Sequence, residues 1–195
     1  MPRAKPAEVT DGRVARRIAA MRRVQAAALG LFEQRGFAAV AVEDIAAQAG
    51  VGAASIYRNF GTKERIVLWD EYDPALLALL AARLQSQPPL AALRDAVLDR
   101  LAVVYSRDRQ RILRRTRLML SEPALLAANA AQQELFRAEL VGLFQTRRSG
   151  LEAEVLAGVS VGVLDACVRE WARREGRVAM SRLMKSAFQL VRAFA

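Results

Sequence analysis

Residues 42–60 read VEDIAAQAGVGAASIYRNF, and the spacing of their apolar side chains decides the fold. From Val42 to Ala49 the apolar positions Val42, Ile45, Ala46 and Ala49 recur at three and four residues, so they share one helical face. Gly50 follows, and glycine takes a left-handed C-terminal conformation without a Cβ penalty. Val51 is the apolar turn residue that would plug between two helices. A second short helix, about Ala53 to Phe60, turns Ile56 and Phe60 inward and leaves Ala53, Ala54, Ser55, Tyr57, Arg58 and Asn59 at its other positions. Two short helices joined by a turn of about three to four residues present the second helix to the major groove of DNA. Two helices packed inside an ordinary helical domain would share this local pattern, so the flanks decide.

Upstream, a helix is expected from about Asp11 to Gln34, with Val14, Ile18, Met21, Ala28 and Phe32 on its buried face. Arg13, Arg16, Arg17, Arg22 and Arg23 lie elsewhere on its surface, and Gly36 closes it. The first ten residues, with Pro2, Arg3, Lys5 and Pro6, read as a flexible basic arm. Downstream, Thr62 is a reasonable N-cap for a linker helix reaching about Tyr72, with Glu64 near the positive end of its dipole. Asp73-Pro74 restarts the chain into a helix ending near Leu84. Further helices are expected at about Leu90–Ser106, Arg109–Leu120, Pro123–Arg147, Leu151–Arg174 and Val178–Phe194, after a loop from Gln85 to Pro89. No alternating strand pattern interrupts them. The expected fold is all-α, with an N-terminal helix-turn-helix domain over residues 1–70 and a C-terminal helical domain over residues 71–195.

Composition narrows the function. Hydrophobic residues make up 53% of the 195, ample for a core. No apolar run reaches the roughly 18 residues of a membrane span. The N-terminal stretch MPRAKPAEVTDGR lacks the apolar segment of a signal peptide, so a cytoplasmic location is expected. The chain has no histidine, which removes the commonest general base and the commonest metal ligand together. The single Cys167 excludes an internal disulfide and outlines no metal framework. No enzyme, metal or cofactor is therefore expected. Net charge is +10, and residues 1–65 hold 11 Lys/Arg against 6 Asp/Glu. Positive charge is about twice as dense there as in the rest, which suits a surface facing phosphates. An Ala/Arg-rich genome would also raise arginine, so charge alone does not decide.

The flanks RRVQAAALGLFEQRGFAAVAVEDIA and IYRNFGTKERIV, taken with the motif, resemble the DNA-binding domain of the TetR family of bacterial transcriptional regulators from about Arg16 to Val67. The matching pieces are LFEQRGF, the DIA triplet at Asp44–Ala46, the AGV turn, Tyr57 with Phe60, and TKE at Thr62–Glu64. Two positions depart: Ala41 stands where the family usually has Thr, and Gly52 where it has Ser. Ala at an N-cap costs roughly 0.5–2 kcal/mol against Ser or Thr, Gly only a few tenths.

The resemblance implies a homodimer on double-stranded DNA with a pseudo-palindromic operator, and most often repression. Tyr57 and Lys63 are the expected phosphate contacts, since the family uses the matching positions so. Arg58 can reach phosphate or base edges; Ser55 and Asn59 can donate hydrogen bonds, with Asn59 expected to choose among sites. Ala53 and Ala54 offer apolar contact only. A structural DNA-binding protein with no particular site, and with no small-molecule effector, is the alternative. For dimerisation, Met180, Met184, Ala187, Val191 and Phe194 form one apolar seam, and Leu151, Val155, Gly158, Gly162 and Ala166 another; either could instead face the chain's own core.

In the resembled family the C-terminal region encloses a small-molecule pocket. VLWDEYDPALL, RTRLMLSEPAL and VGVLDACVREWA are similar to the subgroup with an acyl-CoA-like ligand-binding domain, which implies a fatty acyl-CoA or another small hydrophobic effector. Leu101, Val104, Tyr105, Leu118, Phe136, Leu140, Val163, Cys167 and Trp171 are the candidate apolar lining. Arg114 and Arg117, from a segment with six arginines between Arg107 and Arg117, are the candidate anion ligands. An ordinary core and a solvated basic face would use the same residue types. The second reading is an aromatic or drug-like effector stacking on Trp171 and Tyr105.

Overall fold

The computed structural model describes the backbone of residues 6–70 and 73–193, and the side chains of 12–70, 75–102 and 108–191. Every regular element among them is an α-helix. The chain divides into two compact units, Met1–Glu71 and Tyr72–Ala195.

The first unit holds α1 (Pro6–Arg35), α2 (Val42–Ala49), α3 (Ala53–Phe60) and α4 (Lys63–Leu68). Residues 6–10, expected in the basic arm, belong to α1. Pro is well tolerated in a first helical turn; residues 1–5 lie outside the described residues. Met21, Val24, Ala28, Leu29 and Phe32 of α1, Ile45 and Ala46 of α2, Ile56 and Phe60 of α3 and Ile66 and Val67 of α4 are buried where α1 packs on α2 and α4 and α3 on α2 and α4. Val14, expected on the buried face, is 50% exposed. At 1.5 Å per residue α1 runs about 45 Å, while its 8- and 6-residue partners run about 9–12 Å, so they cover only its C-terminal half. α4 stops at Leu68 rather than near Tyr72, because Trp69 takes an extended ψ of 124°. The side-chain amide of buried Gln25 closes that end, donating to the carbonyls of Ile66 (2.9 Å), Val67 (3.3 Å) and Trp69 (2.9 Å).

The second unit holds α5 (Asp73–Arg83), α6 (Pro89–Ser121), α7 (Pro123–Gln145), α8 (Gly150–Arg173) and α9 (Met180–Ala193). α6 is one helix of 33 residues, where two were expected with a break near residues 107–108. No Gly or Pro stands at that point, and Asp108, a possible cap, instead pairs along the helix with Arg111 at 3.1 Å. Leu93, Leu140, Phe144, Ala157, Trp171 and Met184 are among the residues that form its core. The apolar seam expected on α9 faces that core: Met180 and Met184 are 3% exposed, and Ala187 and Val191 pack against them; Phe194 lies outside the described residues. The seam on α8 is exposed, with Leu151 at 77% and Val155 at 55%. No helix among the described residues is long and apolar enough to cross a membrane.

Candidate functional site

Local chemistry builds the helix-turn-helix. Gly50 sits at φ 65°, ψ 40°, and the Val51 N–H returns to the Ala46 carbonyl at 3.0 Å, closing α2. Ala41 has no side-chain acceptor for α2. Its own N–H donates to Asp44 Oδ2 at 3.0 Å, which supplies the other half of a capping box. Arg35 adds a second bond to Asp44 at 3.1 Å. The Ala41 N–H first, and Arg35 after it, hold the Asp44 carboxyl below its ordinary range. At α3 the Gly52 carbonyl receives the N–H groups of Ser55 (2.9 Å) and Ile56 (3.4 Å).

α3 buries Ile56 and Phe60 and exposes Ala54, Tyr57 and Arg58 as a stripe; Ala53, Ser55 and Asn59 are half-buried on its flanks. The Tyr57 hydroxyl donates to Glu43 Oε1 at 3.3 Å, tying α3 to α2. Desolvation, then the negative Glu43, pushes its phenol up. Lys63 Nζ donates to the carbonyls of Phe37 (2.9 Å) and Val40 (3.3 Å) and lies 4.5 Å from the Phe37 ring centroid. Its ammonium thus holds the α1–α2 connection through two of its three donors. The Asn59 amide donates to the Ser55 carbonyl at 2.8 Å and accepts from Arg17 Nε at 3.2 Å. Sequence reasoning missed Arg17, Glu43 and Gln25 as partners in this unit. Arg17 and Asn59 are 42 residues apart, and no spacing rule links them.

In the second unit a cavity of about 620 Å³ opens between α6, the end of α8 and the start of α9. Leu98, Leu101, Ala102, Trp171, Val178 and Met180 give it an apolar wall. Arg109, Arg177 and Lys185 bring three cations to it. Gly176 shapes the turn beneath: φ is 68°, and a Cβ there would meet Trp171 Cζ2 at 3.2 Å and Leu113 Cδ2 at 3.3 Å. Arg109 donates to the Gly176 carbonyl, so one guanidinium both borders the cavity and fixes its turn.

Of the expected effector ligands, the structure brings Leu101 and Trp171 to this cavity. Leu140, Val163 and Cys167 lie in the core, with Phe136 packed against it. Burial alone pushes the Cys167 thiol up. Leu118 is half-buried away from the cavity, and Arg114 is exposed. Arg117 lies 3.7 Å from Glu175. The side chains of Val104 and Tyr105 lie outside the described residues. The arginines between residues 107 and 117 spread around α6, and Arg109 is the one among the described residues that borders the cavity.

The profile described as bacterial regulatory proteins, tetR family, matches residues 25–68, and one described as the MftR C-terminal domain matches residues 87–194, over half of the chain. The chain belongs to the TetR family. A TetR-family relative, a mycofactocin biosynthesis regulator named MftR from Mycobacterium tuberculosis, is 29% identical over 174 residues, 85% of this chain and 86% of that one. The solved SmeT–triclosan complex aligns with a TM-score of 0.62 at 17% identity over 90% of each chain. FadR of Bacillus subtilis with stearoyl-CoA aligns at 0.54 and 18% identity, covering 86% of this chain and 95% of that one. At these identities the two structures establish the shared fold. As a TetR-family protein the chain is a transcriptional regulator rather than an enzyme, and its helix-turn-helix is a DNA-binding domain.

Proposed function

We propose that this TetR-family chain is a homodimeric repressor that leaves a pseudo-palindromic operator when an amphipathic acyl compound, best a fatty acyl-CoA, enters the cavity of its second unit. The observation that carries the effector class is the pairing of an apolar wall with Arg109, Arg177 and Lys185. Such a site suits a molecule with a hydrocarbon tail and phosphate groups. The structural neighbour solved with stearoyl-CoA supports the same class. The exposed face of α8, with Leu151, Val155, Gly158, Gly162 and Ala166, supports the dimer, since a two-fold pair would cover it and carry two copies of α3. Sedimentation should then give a species near twice 21.4 kDa.

Release from DNA needs differential affinity. Moving a 1:99 equilibrium to 99:1 requires roughly 10⁴-fold, about 5.5 kcal/mol. At about 0.8 kcal/mol per buried CH₂, about seven methylenes reach that scale. Acyl-CoAs of graded length are to be titrated against the operator complex located by footprinting upstream of the gene, with free acid and CoA as controls. Medium and long chains should release DNA and short ones should not. Failure at every length overturns the acyl-CoA assignment. Release by flat aromatic compounds instead would support the second reading, which Trp171 in the wall and the triclosan-bound neighbour favour. A footprint with no preferred site would leave a structural DNA-binding protein.

A further inference from the structure

We infer that Arg17 of α1 is a DNA-phosphate contact, and that Asn59 is the positioning residue that holds it there rather than a reader of bases. The inference rests on the proposed operator binding and assigns residues to it. Asparagine reads adenine by presenting Oδ1 as acceptor and Nδ2 as donor together toward the base edge. Both groups of Asn59 are engaged within the chain. Nδ2 donates to the Ser55 carbonyl at 2.8 Å and lies 3.5 Å from Ser55 Oγ, while Oδ1 accepts from Arg17 Nε at 3.2 Å. Asn59 is half-buried on the flank of α3 that meets Arg17, whereas Tyr57 and Arg58 are exposed.

Arg17 is the exposed member of the pair. A guanidinium carries five donors, and anchoring it through Nε leaves the planar Nη edge, whose fork matches two phosphate oxygens. Anchoring also removes part of the ordering that binding would otherwise impose on a long side chain. Arg13, one helical turn earlier on the same face, and Arg16 beside it are also exposed, so positive charge continues along α1 from the end of α3. Arg17 stands beside the recognition helix and not on it, where the sugar-phosphate wall of the groove would run, so a phosphate is the target.

The test measures binding of the full chain to operator DNA between about 50 and 200 mM salt, and on a set of operators with single base-pair changes. It compares wild type, R17A, R17Q, N59A and the R17A/N59A double variant. R17Q keeps a donor for Asn59 without the charge. R17A and R17Q, each removing one contact per protomer and so two per dimer, should each reduce the log–log salt slope by about two. Both should weaken every operator by the same several-fold factor. N59A should weaken all operators uniformly and less, and the double variant should bind no worse than R17A, because Asn59 acts through Arg17. An unchanged slope in R17A and R17Q overturns the phosphate contact. Loss of discrimination at one base pair in N59A, or additive effects in the double variant, overturns the positioning role. Wild type that binds no duplex would sink the operator reading itself; wild type that binds while these variants match it sinks only the assignment of Arg17 and Asn59.

Discussion

The two units carry their candidate surfaces in opposite ways. In the first, the exposed stripe of Ala54, Tyr57 and Arg58 sits within eight consecutive residues of one helix, with a glycine turn just before it. In the second, the cavity gathers Leu98, Leu101, Ala102 and Arg109 from α6, Trp171 from α8, and residues of the turn after Gly176 with Met180 and Lys185 from α9. A surface on one short helix is fixed by caps and a local turn. A cavity between three segments is fixed by the core beneath it, so its integrity and its binding stand or fall together.

The largest expected effect tests that coupling. Trp171 is fully buried, borders the cavity and packs against Gly176. Trp171→Ala should lower unfolding free energy by about 3–5 kcal/mol, read from urea denaturation, and should remove the response to any effector. Where the variant still folds, operator affinity without effector should stay near wild type. A variant that loses DNA affinity but keeps its effector response would break the contrast between the units.

How much of this was legible follows the same division. The boundaries of α2 and α3 could be read because Gly50 and the Val42/Ile45/Ala46 and Ile56/Phe60 spacings act over a few residues. The continuity of α6 could not, because Ser106-Arg107-Asp108 has the residue types of a junction, and the Asp108–Arg111 pair that runs along the helix is not announced by them. Leu101 and Trp171 reached the cavity, while Leu140, Val163 and Cys167 went to the core, since periodicity reports that a residue points inward and not what it meets there. Within the first unit the failures are also long-range. Val14 looked like core because its period was right, but no partner helix extends that far.

A second, smaller effect is expected where the first unit depends on one distant contact. Gln25→Leu keeps the side-chain size and removes the amide that closes α4 on the carbonyls of Ile66, Val67 and Trp69. Leaving buried carbonyls without that donor costs about 1–3 kcal/mol. The loss should be visible as a lower melting temperature and weaker operator binding, with the cavity's affinity for effector unchanged. Full stability in Gln25→Leu would mean that α4 ends well without α1, and the first unit would then be as local in its energetics as it is in its motif.

The smallest effect separates two half-buried carboxylates, one in each unit. Glu170 accepts from Arg173 at 2.7 and 2.8 Å and also from Arg174, and these bonds hold its carboxyl at about 2 against an ordinary 4.5. Asp44 is lowered chiefly by the Ala41 N–H, with Arg35 second. In both, the folded state binds its proton less tightly than the unfolded chain. Their stabilisation is therefore present above the ordinary carboxylate range and fades as pH falls, for Glu170 between 4.5 and about 2. Salt screens the exposed arginine pairs around Glu170 strongly. It screens the backbone bond to Asp44 less, because the Ala41 N–H is a neutral donor held in place by the helix start rather than a mobile charged side chain. Denaturation across the acid range should show Glu170→Gln flattening the slope at low salt and changing little at molar salt. Asp44→Asn should flatten it at both. Equal salt sensitivity of the two would mean that Arg35, and not the Ala41 N–H, sets the Asp44 carboxyl.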